Sequence, residues 1–152
     1  MTLTRGRGAD DALDRKLCFD IYAANLAFAR FYAPLFEPHR LTYPQFLVLS
    51  LLWETESRSM TEIGRNLYLR SNTLTPVLKR LESLGLIVRT RVAEDERRVE
   101  VTLTSAGHTM QARLIDVPAC VEDATGLTVA EMRDLQLALR RARAILAKHT
   151  AG

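Results

Sequence analysis

Between Ser59 and Leu103 the spacing of apolar residues changes three times, and this succession constrains the fold more than any other feature of the chain. Ser59 with Glu62 three residues on predicts a capping box that opens a short helix, with Ile63 and Leu67 inward. A turn is expected around Tyr68-Leu69-Arg70. Beyond it a second helix is expected, capped by Ser71, Asn72 or Thr73, because Leu74, Leu78 and Leu81 recur at helical spacing and Gly85 stops the run. Pro76 has no N–H, so this helix must begin within a few residues of it or kink there. Leu86-Ile87-Val88 and residues 99–103 then read as two strands, joined as a hairpin by the polar link Ala93-Glu94-Asp95-Glu96-Arg97. Helix, tight turn, helix and hairpin is the order of a winged helix-turn-helix.

The flanks read as helices. Asp10 or Asp11 caps a long first helix whose stripe is Leu13, Leu17, Ile21, Ala24, Phe28, Phe31 and Leu35, and Glu37-Pro38 ends it. A second helix over about 44–54, with Thr42 as its cap, is apolar almost all round and so central to the core. After the hairpin, Thr104 caps a fifth helix to about residue 122, kinked at Pro118. Thr128 caps a sixth, with the stripe Met132, Leu135, Leu139, Ala142 and Leu146. The expected class is mainly α with a small β-hairpin wing. The expected layout is a flexible N-terminal arm (1–9), N-terminal dimerisation and sensor helices (10–58), a winged helix-turn-helix (59–104) and C-terminal dimerisation helices (105–150), integrated in a single domain. The outer helices carry more apolar surface than the middle can cover, so a two-fold homodimer is expected.

A length of 152 residues suits one such domain, and 47% hydrophobic residues exclude wholesale disorder. No apolar run approaches the roughly 20 residues that span a bilayer, and MTLTRGRGADD is followed by no apolar segment of a signal peptide; a cytoplasmic protein without a membrane partner is expected. Cys18 and Cys120 are too few and too far apart for a disulfide framework. His39, His108 and His149 lack ligand spacing, and Gly6-Arg7-Gly8 follows no strand, so neither a metal nor another cofactor is expected.

Net charge is only +3, but it is concentrated. Arg65, Arg70, Lys79, Arg80, Arg89 and Arg91 stand against Glu82 alone, a local excess of five that suits an anionic partner, with double-stranded DNA foremost. With Leu74, Leu78 and Leu81 inward, the outward set of the second helix is Ser71, Asn72, Thr73, Thr75, Pro76, Lys79 and Arg80, led in by Arg70. Hydroxyls, an amide and cations are the groups that contact phosphates and base edges. Arg97 and Arg98 at the hairpin tip suit the minor groove, where A·T tracts concentrate negative potential.

The segment LYLRSNTLTPVLKRLESLGLIVR followed by DERRVEVTLTSAG resembles the MarR family of dimeric winged-helix regulators, with the D-x-R wing and L-T-x-x-G motif at Asp95, Arg97, Leu103, Thr104 and Gly107. The run LCFDIYAANLAFARFYAPLFEPHRLTYPQFLVLSLLWE resembles the organic-hydroperoxide-sensing OhrR-like branch, in its L-C-F and L-T-Y-P-Q segments; the match spans about 13–127. Arg70-Ser71-Asn72 departs from the branch's Asp-Ser-Gly, which bears on the operator sequence. The resemblance implies a repressor of a pseudo-palindromic operator, without enzymatic activity. It implies that Cys18 is oxidised by an organic hydroperoxide with support from Tyr22, Tyr32 and Tyr43, and that Cys120 of the other subunit resolves it, as in the two-cysteine members.

By residue type alone, a single Cys in an apolar helix is more often inert. Tyr22 lies one helical turn after Cys18, whereas Tyr32 is 14 residues on, about 21 Å along a straight helix, and can support Cys18 only from a second subunit. Arg15 favours the thiolate and Asp14 opposes it. Two alternatives compete: a MarR-type repressor released by a small lipophilic or phenolic ligand, and a thiol peroxidase, for which no C-x-x-C or thioredoxin-like pattern speaks.

Overall fold

The computed structural model describes residues 16–150. The expected arm, the caps Asp10 and Asp11, Leu13, and the charges Asp14 and Arg15 beside Cys18 lie outside the described residues. The chain divides into two compact units at Ile115/Asp116.

In the first unit, α1 (Leu17–Phe36) ends where expected and passes into a 3-10 turn, Glu37–His39, closed by Arg40 in the left-handed region at φ 59°. Helix α2 (Tyr43–Thr55) starts after an extended Thr42, whose N–H donates to the Gln45 side chain at 2.9 Å. Its Phe46, Val48, Leu49 and Leu52 are buried, as a helix apolar on nearly every side requires. The helix-turn-helix follows as α3 (Met60–Leu67) and α4 (Ser71–Ser83). Strands β2 (Ile87–Val92) and β3 (Asp95–Leu103) form the wing, and α5 (Ser105–Leu114) returns from it. Val48, Leu49, Leu52, Ile63, Leu78, Leu81 and Val101 are fully withdrawn from solvent and join α2, α3, α4 and β3 in one core.

Three features differ from the expectation. A short strand β1 (Ser57–Ser59) pairs antiparallel with β3, giving the sheet order β1-β3-β2. Ser-Arg-Ser carries no β-branched signal; the backbone ladder holds it, with the Ser57 hydroxyl donating to Glu100 at 3.2 Å.

The expected five-residue hairpin link shrinks to the turn Ala93-Glu94, so Asp95 and Arg97 belong to β3 and not to a loop. Val92 pairs with Asp95 but Arg91 with Val99, and the slip leaves Glu96, Arg97 and Arg98 without partners on β2. Backbone pairing continues through polar residues here because both faces of the wing tip meet solvent, and the bulge absorbs the extra residues.

The expected helix from Thr104 to residue 122 is two helices. α5 stops at Leu114 and α6 (Val117–Thr125) starts anew in the second unit. The break precedes Pro118. A continuous helix would press the proline ring on the Leu114 carbonyl and leave that carbonyl without a donor, whereas Pro118 in the first turn of α6 costs no hydrogen bond. After Gly126, at φ 67°, Thr128 and Glu131 form a reciprocal cap for α7 (Val129–Thr150), the Thr128 N–H donating at 2.8 Å and the Glu131 N–H at 3.2 Å. No residue of α7 is buried.

Candidate nucleic-acid interface and thiol site

The α3–α4 turn closes tightly because Tyr68 adopts φ 57° and the Leu69 N–H donates to the Gly64 carbonyl at 2.9 Å. A Cβ on Gly64 would stand 2.9 Å from the Leu69 carbonyl oxygen, so the turn admits only glycine without a backbone shift. The cap of α4 is Arg70, not Ser71, Asn72 or Thr73. The extended Arg70 accepts the first helical bonds, from Thr73 and Leu74 at 3.0 and 2.9 Å, and its side chain makes no cap bond. Ser71, Asn72 and Thr73 thereby form the exposed first turn with their side chains released from capping.

Pro76, Lys79 and Arg80 are also exposed, as expected, and Leu74, Leu78 and Leu81 are buried. Thr75 departs from the outward set. It is half-buried and its hydroxyl donates to the Ser71 carbonyl at 2.7 Å, one turn back.

The charge excess survives folding. Arg89 is consumed by Glu82 through contacts of 3.2, 3.1 and 2.6 Å, and these Arg89 hydrogen bonds hold the Glu82 carboxyl below the usual glutamate range. Arg65, Arg70, Lys79, Arg80 and Arg91 form no ion pair among the described residues. In the wing, the Asp95 carboxylate accepts the Arg97 N–H at 3.1 Å, which fixes the backbone two residues on. Arg98 pairs with Glu100 at 2.8 Å, whereas the Arg97 guanidinium forms no ion pair among the described residues.

The root of the wing is fixed by the L-T-x-x-G motif. Thr104 donates to the Gly85 carbonyl at 2.6 Å and accepts the Gly107 N–H at 3.1 Å, tying the ends of α4 and α5 together. A Cβ on Gly107 would overlap the Leu86 carbonyl oxygen, and the Gly107 carbonyl accepts the Trp53 indole N–H at 3.0 Å.

Cys18 is exposed in the first turn of α1, with an exposed Tyr22 one turn later. Tyr32 and Tyr43 come together, their rings stacked at 4.3 Å and 17°. Phe28, Phe36 and Phe46 extend this aromatic group, which borders a hollow of about 580 Å³ with Ala29, Ala33 and Pro44 on its wall and Arg40 beside it. α1 is one unbroken helix, so Cys18 and Tyr32 of one chain stand about 21 Å apart. The fold thus joins two of the three expected tyrosines and leaves Cys18 away from Tyr32. Cys120 is exposed in α6 of the second unit.

Two features escaped the sequence reading. The i, i+4, i+8 series Phe28, Tyr32, Phe36 signals the aromatic group, but the neighbouring stripe through Phe31 and Leu35 overlaps it. Arg65 carries no motif, and only the fold places it beside the wing.

Comparisons with known proteins agree with this architecture. The family model described as transcriptional regulator SarA/Rot matches residues 30–114. The chain is 48% identical to the HTH-type transcriptional regulator TtmR of Methylorubrum extorquens (strain PA1), covering 86% of this chain and 67% of the relative. It is 40% identical to the organic hydroperoxide resistance transcriptional regulator of Bacillus subtilis (strain 168), covering 84% and 86%. Among solved structures, reduced AbfR bound to DNA is similar with a TM-score of 0.76 and 35% identity, over 91% of this chain and 96% of the other. The disulfide form of AbfR is similar with a TM-score of 0.64 and 36% identity, over 88% and 93%. Helix-turn-helix, wing and these likenesses together place the chain in the SarA/Rot family of MarR-like winged-helix, DNA-binding transcriptional regulators.

Proposed function

We propose that this regulator is a homodimeric repressor that senses organic hydroperoxides through Cys18. The observation that carries the reading is the division of the thiol site along α1. Cys18 stands in its first turn and the Tyr32–Tyr43 stack near its far end, so a site using both needs the other subunit's helix. The open stripe of α1, with Leu17, Ile21, Phe28 and Phe31 exposed, supplies an apolar surface for such a two-fold pairing. The printed name of the Bacillus relative, and AbfR's existence in reduced and disulfide forms, support the same reading.

The chemistry is as follows. The Cys18 thiolate attacks the distal peroxide oxygen, an S–O bond forms as the O–O bond breaks, and the alkoxide leaves as the alcohol after taking a proton. Phenol hydroxyls of Tyr22 and the partner's Tyr32 and Tyr43 support the reduced sulfur. Cys120 of the other subunit then attacks the sulfenic sulfur, an S–S bond forms, and water leaves. Closure requires Cα atoms within about 7 Å, and the accompanying helix shift changes the spacing of the two recognition helices, releasing a pseudo-palindromic operator. Operator contact is assigned to Arg70, Ser71, Asn72, Thr73, Thr75, Pro76, Lys79 and Arg80 of α4 with its cap, and to Arg97 positioned by Asp95 in the wing.

The hollow beside Tyr32 and Tyr43 supports a second reading, release by a small lipophilic or phenolic ligand. A gel shift on operator DNA with and without cumene hydroperoxide separates the two. The Cys18→Ser protein should bind DNA and ignore the peroxide. If Cys18→Ser still releases DNA on peroxide treatment, the thiol mechanism is wrong.

A further inference from the structure

Tyr43, Phe46 and Trp53 are spaced three and seven residues apart and so share one face of α2, about 15 Å from first to last. The two ends of this face meet different parts of the fold. At its start Tyr43 stacks on Tyr32, so the row begins at the two tyrosines assigned to the thiol site. The buried Phe46 ring is centred 6.3 Å from that of Tyr43 and 6.0 Å from that of Trp53, which it meets edge-on at 67°. At the far end the half-buried Trp53 indole N–H donates to the Gly107 carbonyl at 3.0 Å, joining residues 54 positions apart. Gly107 has no room to absorb a displacement, because even a Cβ there would overlap the Leu86 carbonyl oxygen. Its N–H is held by the Thr104 hydroxyl, which donates in turn to the Gly85 carbonyl just beyond α4. A small shift of the Gly107 backbone is therefore passed to the end of the recognition helix and the root of the wing, since close-packed groups transmit strain. A separate tie, the Leu103 N–H on the Glu56 carbonyl at 3.2 Å, joins the end of α2 to β3 through backbone alone.

We infer that Trp53 is a positioning residue of the switch, coupling the state of the Tyr32–Tyr43 stack to the wing root through its hydrogen bond to Gly107. The inference rests on the thiol reading above, in which these tyrosines support Cys18 of the other subunit. Oxidation of that sulfur takes away the acceptor of their phenols, and Tyr43 resettles. Phe46 and Trp53 follow as one packed row, and the indole N–H carries the first turn of α5 with it. A contiguous row with two arrangements is what such coupling requires.

The test compares operator affinity before and after cumene hydroperoxide for the full chain, for Trp53→Phe, and for a protein with benzothienylalanine in place of Trp53. The last keeps the two-ring shape and has sulfur where indole has its N–H. Cys18 oxidation is followed by mass spectrometry in each, and helical content by circular dichroism. Reduced, both replacements should bind operator as wild type does, because the backbone tie from Glu56 to Leu103 remains. Both should be oxidised at Cys18 to the same extent, yet their peroxide-induced loss of affinity should be smaller than that of wild type by roughly two- to tenfold, the effect of one hydrogen bond. A merely structural role would weaken both states equally; a ratio of oxidised to reduced affinity equal to that of wild type in both replacements overturns the inference and leaves the thiol reading standing. Because Trp53 is the only tryptophan of the chain, its fluorescence reports on the row directly. Peroxide should shift the emission of wild type and not of Cys18→Ser, and operator release with unmoved emission would also overturn the inference. If wild type keeps its operator with Cys18 fully oxidised, the thiol reading and the inference fall together.

Discussion

Helices α4 and α7 carry the same apolar period and come to opposite ends. In α4, Leu74, Leu78 and Leu81 are 1, 0 and 0% exposed; in α7, Leu135, Leu139 and Leu146 are 49, 42 and 64% exposed. The period says that a helix has a face to bury, but not which surface will bury it. α4 is closed in by α2, α3 and the sheet of its own unit, whereas the stripe of α7 stays open in a single chain. An apolar surface of that continuity marks an interaction site, and the proposed dimer covers it.

The same substitution in the two helices tests the contrast most directly. Leu78→Glu places a charge with no partner in a fully closed core, at a cost of several kcal/mol, and should abolish the cooperative unfolding transition followed by circular dichroism. Leu139→Glu should keep the helical spectrum, yet sediment at the single-chain mass of 17.1 kDa and lose tight operator binding. If Leu139→Glu stays a dimer with unchanged operator affinity, the open stripe of α7 is not the pairing surface.

A smaller effect is expected where core and wing meet. Gly107→Ala forces a methyl onto the Leu86 carbonyl and should cost about 1–3 kcal/mol in urea unfolding, the usual penalty for overpacking. A loss below about 0.5 kcal/mol would mean that the L-T-x-x-G glycine is not held by this close approach. The smallest effect concerns Glu82. Its folded-state pKa is lowered by Arg89, so it contributes stability that is present above the ordinary glutamate pKa and lost as pH falls through the folded value. Glu82→Gln should therefore flatten the acid side of the stability profile and leave its slope near neutral pH alone; an unaltered acid limb would show that the pair contributes nothing measurable.

Most of the helix-turn-helix was legible because local chemistry specifies it. The Ser59/Glu62 cap, the turn at Tyr68-Leu69-Arg70 and the Gly85 stop each satisfy backbone groups within a few residues. The cap of α4 was misplaced by one to three residues because Ser71, Asn72 and Thr73 are all good capping types, and the extended backbone of Arg70 took the position without using its side chain. β1 was invisible because a strand of Ser-Arg-Ser exists only through β3, 43 residues further on.

The candidate site divides the same way. That residues 65–91 are cationic and that Asn72, Lys79 and Arg97 stand outward followed from charge and period, which are properties of the chain itself. Which cations form ion pairs did not follow. Arg89 is paired with Glu82 only because the fold brings β2 against the end of α4, and Arg98 with Glu100 because both side chains stand on one face of β3. The 14-residue interval from Cys18 to Tyr32 set their distance once α1 was a helix, since rise per residue is fixed. The stacking of Tyr32 on Tyr43 was decided by the turn of the chain at 37–42, where Arg40 in the left-handed region lays α1 against α2. Local periods and caps act over one helical turn and can be read from residues in order. Charge compensation and aromatic stacking act through space between residues far apart in the chain, and only the folded structure determines which of them meet.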